Sequence, residues 1–513
     1  MSTTTELPSG EEPLHGVWLL LAALALAAAN FIAVLDTTIA NVSVSNIAGA
    51  LGVTSSQGTW VITSYAVAEA ITVPLTGWLA ARFGAVRVFA TSMALFGLCS
   101  ALCGLSNSLG ILVAARVLQG LSGGPLMPLS QTLLLRIFPK DKAAAATGIW
   151  AMTTLVAPIL GPILGGVLCD SASWPWIFMI NVPVALICAL GAWRLLKRYE
   201  QSLARAPIDL TGLCLLILWV GSLQIMLDEG KDLDWFSSVE ICLLAIVAVV
   251  GFLAFLIWEL TAEHPVVDLR VFRHRGYSMS LVTLVLAFGA FFGINVLTPL
   301  WLQNFMGYTA TWAGMTTAWS GVLAVLIAPG VAALSMRVDG RRLVFIGVCW
   351  MGLVTAWRSM GTTDMTYWQI ATPLLLMGLG MPLFFVPLTG LALAAVDEAE
   401  TASAAGLMNF LRTLAGAFAT SMVSTVWEDR IKYNHADLVA QLDNSGEALR
   451  SMQSAGLSLD SIRGSMDQIL NGQAVMLATN QVFLAMAGIL IFAASSIWLA
   501  PRARRIVEGA TGH

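Results

Sequence analysis

The chain has 513 residues, 58% of them hydrophobic and only 11% charged, with a mean hydropathy of +0.81. Ordinary soluble domains carry about 25% charged residues, so a soluble enzyme or a nucleic-acid-binding module is excluded and a polytopic membrane protein is implied. The net charge of −4 carries little meaning, because the charges are sorted along the chain rather than mixed.

With about 20 apolar residues taken for each crossing, fourteen spans are expected. They lie near 16–37, 57–79, 88–106, 109–133, 144–167, 176–196, 208–228, 238–260, 277–301, 312–335, 343–360, 369–396, 402–427 and 477–500. Residues 1–15 are polar and acidic and lack the basic start of a cleavable signal peptide. An even number of spans places both termini on one side. That side receives 18 of the 26 Lys and Arg residues, among them Arg82, Arg87, Arg136, Lys140, Lys142 and Arg502. By the positive-inside rule it is the cytoplasm.

Two internal echoes suggest duplicated halves. Gly77 to Arg87, after span two, is matched by Gly330 to Arg342 after span ten, and the Ala-rich approach to Gly148 in span five is matched by that to Gly406 in span thirteen. The offset of eight helices fits two six-helix halves separated by two extra helices, a transporter pattern. The expected divisions are a tail at 1–15, an N-terminal bundle at 16–200, extra helices at 201–262, a C-terminal bundle at 263–501 and a tail at 502–513. The bundle at 263–501 includes an outer loop, 428–475. There Leu438, Leu442 and Leu449, then Ile462, Met466 and Ile469, recur at helical spacing, so two short amphipathic helices are expected. They either cap the transporter's own rim or dock a partner.

Four charges interrupt the spans: Asp36, Glu69, Arg116 and Arg412. A charge at the bilayer centre costs about 2.5–3.5 kcal/mol even on the lenient insertion scale, so each is by default functional. Asp36 lies in the first-span run Leu35 to Asn41 and reads as a protonatable cavity acid, the alternative being a solvated helix end. Glu69 shares one helical stripe with Tyr65, Thr72 and Thr76, which must face protein or water; it reads as a second proton carrier or as a hydrogen-bonded structural acid. Arg116, with Gln119 and Gly120 following, stays protonated and so cannot carry the proton. It can instead hold a carboxylate ionised, or clamp backbone carbonyls. Arg412, beside Asn409, is open to either a structural or a coupling role.

In span five Ala157, Gly161 and Gly165 permit close helix approach, and Pro158 and Pro162 free backbone carbonyls. Phe288, Phe291, Phe292 and Asn295, together with Met377, Met381, Phe384 and Phe385, are candidates for an apolar, adaptable cavity; core or lipid-facing packing is the plainer alternative for each. Tyr65 joins them from span two. The seven cysteines form no metal set and read as packing residues. No phosphate-binding P-loop sequence occurs, since Gly230-Lys231 is followed by Asp232. With no nucleotide, metal or other cofactor implied, the energy source is an ion gradient, worth about 2.3 kcal/mol per charge per 100 mV.

Together these segments resemble the EmrB-like fourteen-helix drug:proton antiporters of the major facilitator superfamily. The resemblance rests on Leu35 to Val42, Arg116 to Gly124, Ala157 to Gly166, Trp174 to Pro183, Gly307 to Gly314 and Asn409 to Gly416, and it covers nearly the whole chain. It implies an all-α major facilitator fold and export of amphipathic drugs or toxic compounds in exchange for protons. Asp36 and Arg116 would then be coupling residues, with Asn41, Gln119, Gly161, Pro162, Gly165 and Arg412 structural or coupling; the coupling role read for Glu69 rests on its mid-span position and not on the resemblance. It also implies a periplasmic membrane-fusion adaptor of the EmrA type, an outer-membrane channel of the TolC type, and a bacterial inner membrane. The chain departs from the family at Ala81, where an acidic loop residue is usual, and at Glu69, where an acid often is not. A proton-linked nutrient symporter would use the same carboxylates; the run Ala157 to Gly166 argues against it. A membrane sensor or enzyme would need a soluble domain larger than 428–475.

Overall fold

The structure, a computed structural model, describes residues 14, 16–139, 143–200, 209–263, 265–397, 400–440 and 459–501. The described residues are helical throughout, with no strand among them. The N-terminal half contains α1 (Gly16–Leu51), α2 (Ser55–Thr72), α3 (Thr76–Phe83), α4 (Ala85–Gly104), α5 (Leu109–Gly123), α6 (Leu126–Ile137), α7 (Ala143–Ser171), α8 (Trp176–Met179) and α9 (Asn181–Leu196). Then come α10 (Leu210–Glu229) and α11 (Val239–Thr261). The C-terminal half contains α12 (Arg275–Asn304), α13 (Ala310–Ser335), α14 (Gly340–Arg358), α15 (Tyr367–Leu393), α16 (Thr401–Ala440) and α17 (Leu459–Ser496).

Ten helices among the described residues are long and apolar enough to cross a membrane, or eleven if the bent pair Ala145–Pro158 and Ile163–Cys169 is one span. Fourteen were expected. The three segments that fall short are the polar ones. Span two is split into α2 and α3 at Val73 to Leu75, where Pro74 removes a donor and crowds the preceding turn. Helix α14 carries Arg341, Arg342 and Arg358, and α16 carries Asn409 and Arg412. Span four is likewise broken, between α5 and α6, at Gly124 and Pro125.

Small residues set how closely these helices approach. A Cβ added at Gly120 would meet the Tyr65 carbonyl and lie 2.8 Å from the Ala68 Cβ; one at Gly124 would lie 2.8 Å from the Thr72 Cβ. Span two therefore rests its polar stripe on the glycine face of span four, and the two helix breaks lie side by side. In the same way Gly161 and Gly165 of α7 seat Thr38 and Ile39 of α1.

The two halves meet along α7 and α13, with Gly148 against Ala332 near one end and Gly166 against Thr311 near the other. On the opposite seam the halves touch at the end bearing the basic loops, where Gly77 faces Ser403 and Gly406 faces the Val73 carbonyl. Helix α10 fills the remainder of that seam: it packs on α2 and on α16, and α11 packs outside it.

The outer loop differs from expectation. Among its described residues, 428–440 continue α16 and 459–475 belong to α17 rather than to separate short helices; no Gly or Pro falls between Gly416 and Gly446 to stop α16. At 1.5 Å per residue, the 40 residues of α16 extend roughly 60 Å, about twice a hydrocarbon core. The overhang pairs with α17 through Asn434 and the Ala474 carbonyl (3.4 Å), and through His435 and Asp467 (3.2 Å). Leu442 and Leu449, and the side chain of Ile462, fall outside the described residues.

The acid missing at Ala81 is supplied from elsewhere. Glu200, just past the end of α9, accepts from the backbone N–H groups of Val86 (3.1 Å) and Arg87 (2.9 Å) at the start of α4. A carboxylate there complements the positive end of the helix dipole.

Gly120→Val should drive a branched side chain into the Tyr65 backbone. A loss of about 1–3 kcal/mol, the usual cost of overpacking, is expected as a lower thermal midpoint in detergent, whereas Gly330→Ala, whose Cβ would meet nothing within 4 Å, should leave the midpoint unchanged.

Candidate functional site: a buried ion pair beside an interface acid

Asp36, Arg116, Gln119 and Asn181 form one enclosed network. Asp36 and Arg116 have no exposed side-chain surface. Arg116 Nη1 donates to Asp36 Oδ2 (2.5 Å) and to Gln119 Oε1 (2.9 Å), and its Nε donates to the Val61 carbonyl (2.9 Å). Asp36 Oδ1 accepts from Gln119 Nε2 (3.0 Å) and Asn181 Nδ2 (2.7 Å). Asn181 also reaches Ser100, whose hydroxyl donates to the Phe178 carbonyl. Five segments thus converge on one carboxylate: α1, α2, α4, α5 and the start of α9. The Tyr65 ring covers the guanidinium at 4.1 Å, a cation–π contact in a water-poor setting. Within this guanidinium, Nη2 is buried without a hydrogen-bond partner.

Glu69 is buried one turn from Tyr65, within the electrostatic reach of Arg116, Asp36 and Arg412. Thr72 and Thr76, the rest of its stripe, donate to the Ala68 and Val73 carbonyls. Arg412 projects from α16 into the N-terminal half, where Nη2 contacts Met127 Sδ and the guanidinium lies over the Trp150 ring (5.2 Å). Phe288 of its own half covers it at 5.6 Å. Next to it Asn409 Nδ2 donates to Gln131 Oε1 across the interface (3.2 Å). Glu69 therefore feels the charge of a guanidinium of its own half and of one of the other.

The candidate cavity residues divide by exposure. Phe288 and Phe292 stack at 5.5 Å and are half-buried, as is Asn295, whose amide is spent on the Phe291 carbonyl. Phe291, Met377, Met381, Phe384 and Phe385 are enclosed, with Phe384 against Phe385 at 4.6 Å. Tyr65 is enclosed as the lid on Arg116. Gly161 and Gly165 lie against α1 on the side of Thr38 and Ser43. The side chains of Asn41 and Pro162 fall outside the described residues.

Sequence reasoning missed three polar groups. Asn181 stood inside the recognised run Trp174 to Pro183, and its signal was simply an amide within a span. Asn30 ties α1 to α7 through Thr153 and Thr154 (both 2.8 Å). Arg358, at the end of the expected span 343–360, is enclosed in the C-terminal half.

A fully enclosed charge network inside one half of a two-halved bundle of membrane-length helices is the pattern of a multi-pass membrane transporter rather than an enzyme. The chain belongs to the Major Facilitator Superfamily, whose profile matches residues 26–420. It is 41% identical over 495 residues to "Multidrug export protein EmrB" of Escherichia coli, covering 96% of this chain and 97% of that one. It is 43% identical over 497 residues to the protein of that name from Haemophilus influenzae, covering 95% and 97%. Among solved structures, the proton:xylose symporter XylE shares the fold, with a TM-score of 0.59 at 14% identity, covering 94% of this chain and 96% of that one.

Removing one partner of a buried ion pair costs about 3–5 kcal/mol, because the other charge is stranded. Asp36→Asn and Arg116→Gln should each lower stability on that scale, and the double variant should recover most of the loss while remaining inactive. Thermal midpoints set beside transport rates for the three variants check this; single variants as stable as the parent would show that the pair is not buried as described.

Proposed function

We propose that the protein exports amphipathic or hydrophobic drugs and other toxic compounds by alternating access, driven by proton entry. The similarity to EmrB supports the substrate class, and the Asp36–Arg116 network supports the coupling. The observation that carries the reading is that Asp36 is held, out of water, by a guanidinium that cannot give up its proton. Protonating Asp36 removes the charge that holds Arg116, whose Nη2 is already without an acceptor and is free to take a new one.

Glu69 is the group placed to respond. Its two cationic neighbours belong to different halves, so separating the halves withdraws Arg412 and leaves Arg116. A carboxyl whose cationic surroundings change with conformation can take up a proton in one state and lose it in the other. The substrate would bind in the same interface, near Phe288 and Phe292, whose rings are only half-covered. We further propose a bacterial inner membrane with both termini cytoplasmic, and a tripartite pump with a periplasmic adaptor of the EmrA type and an outer-membrane channel of the TolC type. The overhang of α16 and α17 would be the docking element. It carries Tyr433, Val439 and Ile469, with 65, 47 and 60% of their surface exposed, beyond the reach of the hydrocarbon core.

Inverted vesicles test the function directly. Uptake of a lipophilic cationic dye should follow an imposed proton gradient in the parent and fall to background in Asp36→Asn, measured on protein that reaches the membrane; parental rates in that variant would overturn the assignment. Glu69→Gln should fold and retain transport of neutral compounds while losing roughly tenfold for cationic ones, with an altered pH profile. Equal rates for both classes from pH 6 to 8 would make Glu69 a structural acid.

The docking element has its own readout. Val439→Ser with Ile469→Ser should reduce co-purification of the adaptor severalfold while vesicle uptake is unchanged. Undiminished co-purification would make the overhang a cap on the transporter itself.

A further inference from the structure

The C-terminal half holds a second enclosed guanidinium, and it lacks what the first one has. Arg358 ends α14 at the pole away from the basic loops and is 7% exposed. Its Nη2 donates to Thr298 Oγ1 (2.7 Å), and the Phe483 ring covers its Cζ at 4.2 Å. That nearly repeats the 4.1 Å contact of Arg116 with Tyr65. Arg116, however, meets Asp36, whereas Arg358 has no carboxylate partner among the described residues. Its Nη1 is buried with nothing bonded to it.

This nitrogen belongs to a side chain that lines a chamber of about 60 Å³ between α12, α14, α15 and α17, walled by Trp301, Met365, Pro373, Met476 and Phe483. A water needs about 10–15 Å³ by the same kind of measure. The chamber has room for a monatomic ion with a water, or for one carboxylate, and not for a drug. Thr298 cannot serve as the counter-group: its hydroxyl already donates to the Ile294 carbonyl while accepting from Arg358, so it only fixes the guanidinium's aim. The other polar side chain on the lining is Gln369. Its Oε1 is spent on the Thr366 cap, which leaves its amide nitrogen as an unspent donor. The lining thus offers a buried permanent positive charge against apolar walls, with the exposed Gln369 donor at its open side. Arginine does not escape the cost of burial by losing its proton, and an unpaired buried charge is far costlier than a paired one.

We propose that this chamber binds a small monovalent anion on Arg358, which completes in the C-terminal half the charge pairing that Asp36 completes in the N-terminal half. The site is separate from the Asp36–Arg116 network and does not depend on what the protein transports.

The test uses the full-length protein purified in detergent with gluconate as the only anion, titrated with chloride, bromide or acetate while thermal unfolding is followed. The parent should gain a few degrees, saturating with concentration. Arg358→Gln should lose the response, while Arg87→Gln, at the opposite end, should keep it. A response to chloride and bromide alone identifies a halide site; an equal response to acetate identifies a carboxylate site. Should Arg358→Gln fail to fold, Thr298→Val should still raise the half-saturating concentration severalfold, since it frees the guanidinium to turn. Bromide crystals should show anomalous density beside Nη1. No saturable response in the parent, an unchanged response in Arg358→Gln or Thr298→Val, or a water in place of bromide would overturn the proposal.

Discussion

The constraint on which the rest depends is that a charge enclosed among apolar helices must find its partner inside the protein. At 4 Å two unit charges attract by about 1 kcal/mol in water and about 4 kcal/mol at an effective dielectric constant of 20. Partnering therefore decides where helices can sit. Asp36 draws donors from α5 and α9, and Arg116 reaches on to the Val61 carbonyl of α2. The N-terminal half is organised around that carboxylate. Arg412 obeys the same rule with softer partners, a thioether and two aromatic faces, two of the three contributed by the opposite half.

The contrast between these two arginines matters for a machine that must change shape. An ion pair with several supporting hydrogen bonds holds one geometry. A guanidinium lying on rings and sulfur has attractions with little directional demand, so it can slide. The first kind of contact lies within one half and the second kind lies across the interface. Rigid units joined by a compliant seam are what rocking of one bundle against the other requires.

Much of this was legible in the residues. Bilayer physics makes charged residues in spans conspicuous, so Asp36, Glu69, Arg116 and Arg412 stood out without any structure. That Arg116 would hold a carboxylate was readable from its charge, but that the carboxylate is Asp36, and that Asn181 and Ser100 converge on it, was not, because uncharged polar residues in spans are common and only packing shows which groups meet. The reach of α16 past the membrane was readable in principle from the absence of Gly and Pro after Gly416. Amphipathic spacing at Leu438 suggested a separate element instead, since periodicity reports a face and not where a helix begins. Arg358 falls at the end of the expected span 343–360, where charges usually reach water, and so did not stand out; its burial depends on α12 and α17 closing over it, which no local signal records.

The two extra helices bear on how the halves can part. One seam between the halves is closed by α7 against α13, where small residues bring backbones close and little is available to replace the contact. The other is bridged by α10, which packs along α2 with Gly221 beside Val67. Its attachments to the α16 side are mixed: Trp219 packs edge-on against Phe410 (5.9 Å) and Ala417 packs on the Met226 and Leu227 cluster, and polar bonds are added to these. Ser421 donates to the Leu227 carbonyl (2.6 Å), Trp235 Nε1 donates to Thr425 (3.0 Å), and Lys231 pairs with Glu428 (2.5 Å). These lie at the end away from the basic loops, and the ion pair is part-exposed. Exposed ion pairs are typically worth under about 1 kcal/mol, and polar bonds at a wet rim can be exchanged for water at little net cost. Helix α10 is thus fastened to both halves by packing, with bonds that water can replace added at the outer rim of the α16 side. The seam between α10 and α16 is therefore the one with exchangeable bonds at its rim, and it leads inward to Arg412 and the half-covered rings of Phe288 and Phe292.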